Sequence, residues 1–373
     1  MNVEDFINVI HSEFYVGVPD SFLSPLCDYL VKNYGINNSA HIVAANEGNA
    51  VAIATGYHLA SGKCPVVYMQ NSGEGNAVNP IASLIGNEVY SIPMIFIIGW
   101  RGEPNVPDEP QHIFQGKITI PLLDLMEIPY VIIDKYFSQE QLVETVNQFN
   151  ALLKGGRSVA FVMKKGALTF SEKISYHNKN LLFREDAINC ILKSVGNDIL
   201  ISTTGKISRE LFELRDKNNE IHSRDFLTVG SMGHTSSIAL GIALHKSNKK
   251  IWCIDGDGAA IMHMGAMAVI GNALPKNFVH IVLNNESHES VGGIPTAGKA
   301  INFVAVAQAC GYEYTISIDN AKDLIETLHD VKLRAQLQFI EVKVSLGSRK
   351  NLGRPTIPPL ENKRNFMKFL GTI

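Results

Sequence analysis

The chain has 373 residues, 46% of them hydrophobic, and a formal net charge of −3; that length suits about two ordinary domains, each with a sizeable apolar core. This charge offers no basic field for a phosphate backbone, and no apolar run approaches the roughly 20 residues that span a bilayer, so neither nucleic acid nor membrane is expected as a partner. Five scattered cysteines (Cys27, Cys64, Cys190, Cys253, Cys310) lack any CxxC spacing, which suggests neither a disulfide framework nor a zinc site; with no basic, apolar leader at the N-terminus, the cytoplasm is the expected compartment.

Taken in chain order, short β-rich runs at 14–18, 41–45, 65–70, 93–99, 130–134 and 158–164 alternate with amphipathic segments. This is the grammar of a mostly parallel sheet covered by helices. The polar stretch 166–183 reads as a linker. The same grammar then restarts, with strands expected at 198–204, 226–230, 250–255, 278–284, 313–317 and 338–344. The expected fold class is α/β, with two doubly wound, mostly parallel sheets in domains 1–165 and 184–373. They repeat in architecture and not in sequence. The tail beyond 345, with Arg349, Lys350, Arg354 and Pro358-Pro359, reads as a loop and a short helix, a candidate cover.

The most informative segment is Gly256-Asp257-Gly258, which ends a strand and opens a helix; the next strand ends in Asn284-Asn285. A doubly wound sheet delivers both to its carboxyl edge, where ligands bind. Glycines at 256 and 258 admit a diphosphate close to the backbone, and the helix start favours negative charge. Asp257 and Asn285 supply hard oxygens of the kind Mg²⁺ takes beside phosphate. Gly-Asp-Gly by itself is also an ordinary turn; the pair of motifs on successive strands is far more specific. Rival phosphate motifs fail: the third glycine of a dinucleotide fingerprint is missing after Gly258, and Thr204-Gly205-Lys206-Ile207 lacks the parts of a P-loop.

This pair resembles the cofactor motif of the thiamine diphosphate (ThDP)-dependent enzymes. The resemblance implies ThDP and Mg²⁺ as cofactors, with Asp257, Asn285 and the Ser287 carbonyl as metal ligands. It also implies a pyrimidine-type domain followed by a diphosphate-type domain. Glu47, in Asn46-Glu47-Gly48-Asn49-Ala50, resembles the carboxyl group that shares a proton with the pyrimidine N1′. That role wants an apolar setting, against the pull of a helix N-terminus; a first-turn glutamate favoured by the dipole is the plainer alternative. Gly230-Ser231-Met232-Gly233-His234 resembles the segment whose apolar wedge, here Met232, bends the cofactor, while the Gly230 carbonyl accepts from its 4′-amino group. Methionine suits core filling equally well. Thr203, Thr204 and Gly205 are further candidates for diphosphate contacts, and Asn71 and Ser72 for a pyrimidine-side loop, where Glu74 is unusual because an apolar residue is commoner there.

The absence of room for a central domain, with Gly17-Val18-Pro19-Asp20-Ser21, Asp108-Glu109-Pro110-Gln111-His112 and Ser287-His288-Glu289-Ser290-Val291-Gly292-Gly293, resembles the phosphonopyruvate and sulfopyruvate decarboxylase family along nearly the whole chain. The usual small residue is replaced by Glu286. The resemblance implies decarboxylation of a small anionic 2-oxo acid to an aldehyde, phosphonopyruvate to phosphonoacetaldehyde in the first case. It also implies a homodimer or higher oligomer with active sites between subunits. Asp20, His112 and His288 are candidates for proton handling, although Asp20 also suits capping a helix that begins at Ser21. A phosphonate or sulfonate calls for cations; Arg101 and Arg354 are the first candidates, with Lys117 and Arg349 behind them, against the alternative of solvated surface residues. Sulfopyruvate or another 2-oxo acid is the alternative substrate. A non-catalytic ThDP-binding subunit is a remote alternative.

Overall fold

A computed structural model describes residues 1–373. The chain folds as two compact units, residues 1–175 and 176–373. In the first, β1 (Tyr15–Gly17), β2 (His41–Val43), β3 (Val66–Gln70), β4 (Ile95–Gly99), β5 (Tyr130–Ile133) and β6 (Val159–Met163) form one sheet in the order β2-β1-β3-β4-β6-β5. Every neighbouring pair is parallel. Its central strands are continuous apolar runs because helices cover both faces: all five residues of β4 and of β6 are buried.

The second unit contains β7 (Ile199–Ser202), β8 (Asp225–Leu227), β9 (Ile251–Gly256), β10 (Phe278–Asn284), a small antiparallel hairpin of β11 (Ser287–His288) and β12 (Ile294–Pro295), then β13 (Tyr314–Ile318) and β14 (Gln338–Lys343). The main sheet is all parallel, in the order β13-β14-β10-β9-β7-β8. With β7 to β10 counted as first to fourth and β13 and β14 as fifth and sixth, this is 2-1-3-4-6-5 read from the opposite edge, the order of the first sheet. The expected repeat of architecture is therefore present strand by strand.

That order fixes where ligands can sit. The chain leaves β1 in one direction and returns past it from β2 to β3, which opens a crevice at the carboxyl ends of β1 and β3; β7 and β9 do the same in the second unit. The motifs at 17–20, 44–50, 70–74, 203–205, 230–234, 256–258 and 284–288 each follow or end a strand at such an edge.

One expectation shifts. The strand expected at 226–230 stops at Leu227: Thr228 Oγ1 donates to Ser202 O at 2.6 Å and Gly230 takes φ +71°, which ends the ladder. The stretch 166–183 is tied down within each unit, since Thr169 N donates to Met1 O at 2.9 Å while Asn178 and Asn180 donate to Val344 O. In the tail, Arg349 pairs with Glu185 and Glu213, Arg209 Nε donates to Gly353 O at 2.5 Å, and the helix Pro359–Phe369 docks beside β8 through Asn362 Nδ2 to Asp225 O at 2.9 Å. No helix is long and apolar enough to cross a membrane.

Candidate functional site

In the first unit, Glu47 is the first residue of the helix Glu47–Ser61, whose N-cap is Asn46 through its side chain to Asn49 N. Glu47 is only 5% exposed, and its Oε2 accepts from Asn76 Nδ2 at 2.8 Å. The loop after β3 lies so close that a Cβ at Gly73 would stand 2.5 Å from Glu47 Cδ, so only glycine fits there. Asn76 was not singled out from sequence. Its signal was the asparagine five residues beyond Asn71, legible only once both strand ends are known to meet.

The side chain of Asn71 is committed within the protein: Nδ2 donates to Arg101 O and to Thr119 Oγ1, both at 2.8 Å, and Oδ1 accepts from Arg101 N at 3.1 Å. It therefore braces this loop and has no amide hydrogen left to offer a ligand. Ser72 Oγ accepts from Gln70 Nε2 at 2.6 Å. Glu74, flagged above as unusual, is 1% exposed, and burial raises its pKa to about 8 against the smaller opposing pull of the Thr119 hydroxyl.

Asp20 is completely buried beyond β1. Burial raises its pKa to about 6, against the opposing pull of the Phe22 N–H and Arg101, and its Oδ1 has no hydrogen-bond partner. The capping alternative is not realised. The following helix is Ser24–Tyr34, its N-cap is Leu23, and Asp20 instead closes a turn by accepting from Phe22 N at 2.9 Å. Arg101 departs from expectation as an anion clamp, because its planar fork is already bidentate on Asp108 at 2.8 and 2.5 Å, with Nη1 on Ser21 Oγ at 3.1 Å. Burial works to raise the Asp108 pKa, but Arg101 and the N–H groups of Glu109 and Gly102 outweigh it and hold Asp108 well below the usual carboxylate range. His112 lies half-buried in the first turn of the helix Pro110–Leu125, and Lys117 is exposed further along it.

In the second unit, β9 and β10 bring Asp257 and Asn285 together: Thr296 Oγ1 donates to the Asp257 carboxylate, and the backbone N–H groups of Gly258 and Asn285 pull against the effect of burial on it. Asp257 is 2% exposed, and burial raises its pKa to about 6 despite those donors. A buried carboxylate without a cation is an incomplete arrangement. Asn285 Oδ1 accepts from Ser287 N at 3.2 Å, and Ser287 Oγ and Thr203 Oγ1 are buried without partners. Thr204 Oγ1 accepts from Gly230 N at 3.0 Å, and Gly205 takes φ +92° as N-cap of the helix Lys206–Lys217. A Cβ at Gly258 would lie 3.4 Å from Met232 Cε and 3.0 Å from His288 Nδ1, so the wedge candidate and this histidine both face the Gly-Asp-Gly turn. Burial pushes the His288 pKa down to about 4, which leaves it neutral at pH 7. Arg354 is exposed in the tail.

The hard oxygens of Asp257 and Asn285, an orphaned threonine hydroxyl and a glycine-lined helix start fit a divalent cation and a diphosphate. A different cluster, Cys253, Asp255 and His280, was not anticipated. His280 Nε2 lies 3.2 Å from Asp255 Oδ2 and Nδ1 lies 3.2 Å from Tyr312 OH, inside the apolar layer on one sheet face.

Two family models match the chain: thiamine pyrophosphate enzyme, N-terminal TPP binding domain, over residues 4–127, and thiamine pyrophosphate enzyme, C-terminal TPP binding domain, over residues 203–342. The chain is 31% identical to a phosphonopyruvate decarboxylase of Streptomyces viridochromogenes, over 95% of this chain and 91% of that one. It is also 31% identical to one of Streptomyces hygroscopicus, over 95% and 89%. A sulfopyruvate decarboxylase of Methanosarcina acetivorans is 29% identical over 89% of each chain.

Proposed function

This chain belongs to the thiamine diphosphate-dependent decarboxylases that include phosphonopyruvate and sulfopyruvate decarboxylase, and from that premise we propose that it decarboxylates phosphonopyruvate to phosphonoacetaldehyde in a Mg²⁺-dependent reaction. The observation that supports the metal and diphosphate assignment is the buried Asp257 carboxylate lying beside Asn285.

Asp257, the Asn285 side chain and the Ser287 carbonyl would hold the cation. Thr203, Thr204, Gly205, Gly256 and Gly258 would take the diphosphate, with Met232 and the Gly230 carbonyl supporting the rest of the cofactor. Thiamine diphosphate, when bound, supplies a nucleophilic carbon and an electron sink. Glu47 holds and returns the proton at N1′, and Asn76 keeps its Oε2 oriented while the Gly73 backbone excludes water from it. Asp20, His112 and neutral His288 are assigned to proton handling. Arg354 and Lys117 would meet the phosphonate. Arg101, held on Asp108, would shape the loop that carries Asp108 to His112. Asn71 and Ser72 brace the loop beside the pyrimidine ring. We assign the working form to at least a homodimer in the cytoplasm, with each site built between subunits.

Sulfopyruvate is the second reading, favoured by the 29% identity to a sulfopyruvate decarboxylase over 89% of the chain. Steady-state assays with phosphonopyruvate, sulfopyruvate and pyruvate, each with and without ThDP and Mg²⁺, decide between them. Phosphonopyruvate is expected to give the highest kcat/KM, and preference for either competitor overturns the substrate assignment.

A further inference from the structure

Glu289 has no role in the assignments above, yet three side chains converge on it. It opens the short turn Glu289–Val291 that follows β11. Its Oε2 accepts from Asn285 Nδ2 at 3.0 Å and from Arg184 Nη1, while its Oε1 accepts from Lys206 Nζ at 2.7 Å. Arg184 is itself immobilised, since Nε and Nη2 form a bidentate pair with Glu210, both at 2.7 Å, and both residues are buried. Lys206 is the first residue of the helix that begins after Thr203-Thr204-Gly205. One cluster thus joins the two edges assigned to diphosphate and metal.

A carboxamide has a donor end and an acceptor end of almost the same shape, so its neighbours decide which way it faces. A carboxylate can only accept. Glu289 therefore takes the Nδ2 end of Asn285 and leaves Oδ1 on the opposite side, where it accepts from Ser287 N. The reversed amide would turn two N–H groups toward the place where a cation is expected and would repel it. The four charges of Arg184, Lys206, Glu210 and Glu289 sum to zero, so this carboxylate stands beside the site without adding net charge to it.

We propose that Glu289 is a positioning residue: anchored by Arg184 and Lys206, it fixes the Asn285 amide so that Oδ1 faces the divalent cation. This rests on the assignment of Asn285 as a ligand under Proposed function. Outer hydrogen-bond partners of metal ligands typically set affinity by one to two decades.

The test is calorimetric titration of Mg²⁺ into the full chain at saturating ThDP, with circular dichroism and thermal melting of the cofactor-free variants as controls for folding. Glu289→Ala and Glu289→Gln are expected to weaken Mg²⁺ binding by roughly 10- to 100-fold. In an Asn285→Asp background the effect shrinks. A carboxylate at 285 has no donor end to misplace, so N285D/E289Q loses less affinity relative to N285D than Glu289→Gln loses relative to the unaltered protein, whereas loss of general negative field costs both backgrounds alike. Wild-type affinity in both single variants at 289, or an equal loss in both backgrounds, overturns the proposal. If the unaltered protein takes up no ThDP with Mg²⁺, the cofactor assignment falls and this inference with it. If it does, but Asn285→Ala binds Mg²⁺ equally tightly, the assignment of Asn285 is the part that fails.

Discussion

Asn76 Nδ2 donates a 2.8 Å hydrogen bond to Glu47 Oε2, joining the segment after β3 to the first turn of the helix after β2. The carboxyl group is left with Oε1 against the Gly73 backbone and is shielded from water. This is how a side chain at a helix N-terminus is both oriented and kept dry.

Substitution Glu47→Gln is expected to lower kcat by about 10²- to 10⁴-fold, the usual worth of a positioned proton-transfer group, with folding intact. Asn76→Ala should lower it by about 10- to 100-fold, the worth of one hydrogen bond to a charged group. Steady-state kinetics at saturating cofactor checks both; wild-type turnover in Asn76→Ala would show that the bond has no part in the reaction.

Supplying ThDP and Mg²⁺ should stabilise the protein by about 2.7 kcal/mol at a hundredfold excess over Kd, and a chelator should reverse the gain. Asp257→Ala should show no such response, because the cation loses its buried carboxylate. Thermal melts with cofactor, with chelator and with neither measure this directly.

The pH dependence of stability should carry the signature of Glu74. Its folded pKa, about 8, is raised from 4.5 by burial, so the folded state binds the proton more tightly than the unfolded state. Its contribution to stability is therefore fully present below about pH 4.5, falls as pH rises from there to about 8, and is level above that. The full drop is on the order of 4–5 kcal/mol for so buried a group. Glu74→Leu should remove this fall, gaining stability at pH 8 and little at pH 4.5. Urea unfolding of both proteins at the two pH values tests it, and equal slopes would refute it.

Arg215 and Asp225 form a fully buried bidentate pair at 2.8 and 2.9 Å that fastens the helix Lys206–Lys217 to β8. Arg215→Met is expected to cost roughly 3–5 kcal/mol, because the buried Asp225 carboxyl loses its bidentate partner and Glu220 loses a donor. The double change R215M/D225L should recover most of that loss. Denaturant unfolding of the three proteins decides, and an additive pair of losses would contradict the account.

Much of this protein was legible in its sequence. Alternating β-rich and helical runs specify a twice-repeated α/β architecture because side-chain periodicity is a local property. The family was legible for a related reason: Gly256-Asp257-Gly258, Asn284-Asn285 and Asn46-Glu47 each lie within a few residues of a strand end, and turn chemistry is written in adjacent residues. Tertiary structure alone decided which distant groups share a hydrogen bond. Asn76 reaches Glu47 from 29 residues away, and Arg184 reaches Glu289 from 105. The fork of Arg101 is taken by Asp108, seven residues on in the same loop, whereas the side chain of Asn71 looked open until Thr119, 48 residues on in the helix Pro110–Leu125, was placed against it. Strand order brings such partners together, and no local spacing records it, because the crossovers that set the order cost the chain little and leave no periodic trace.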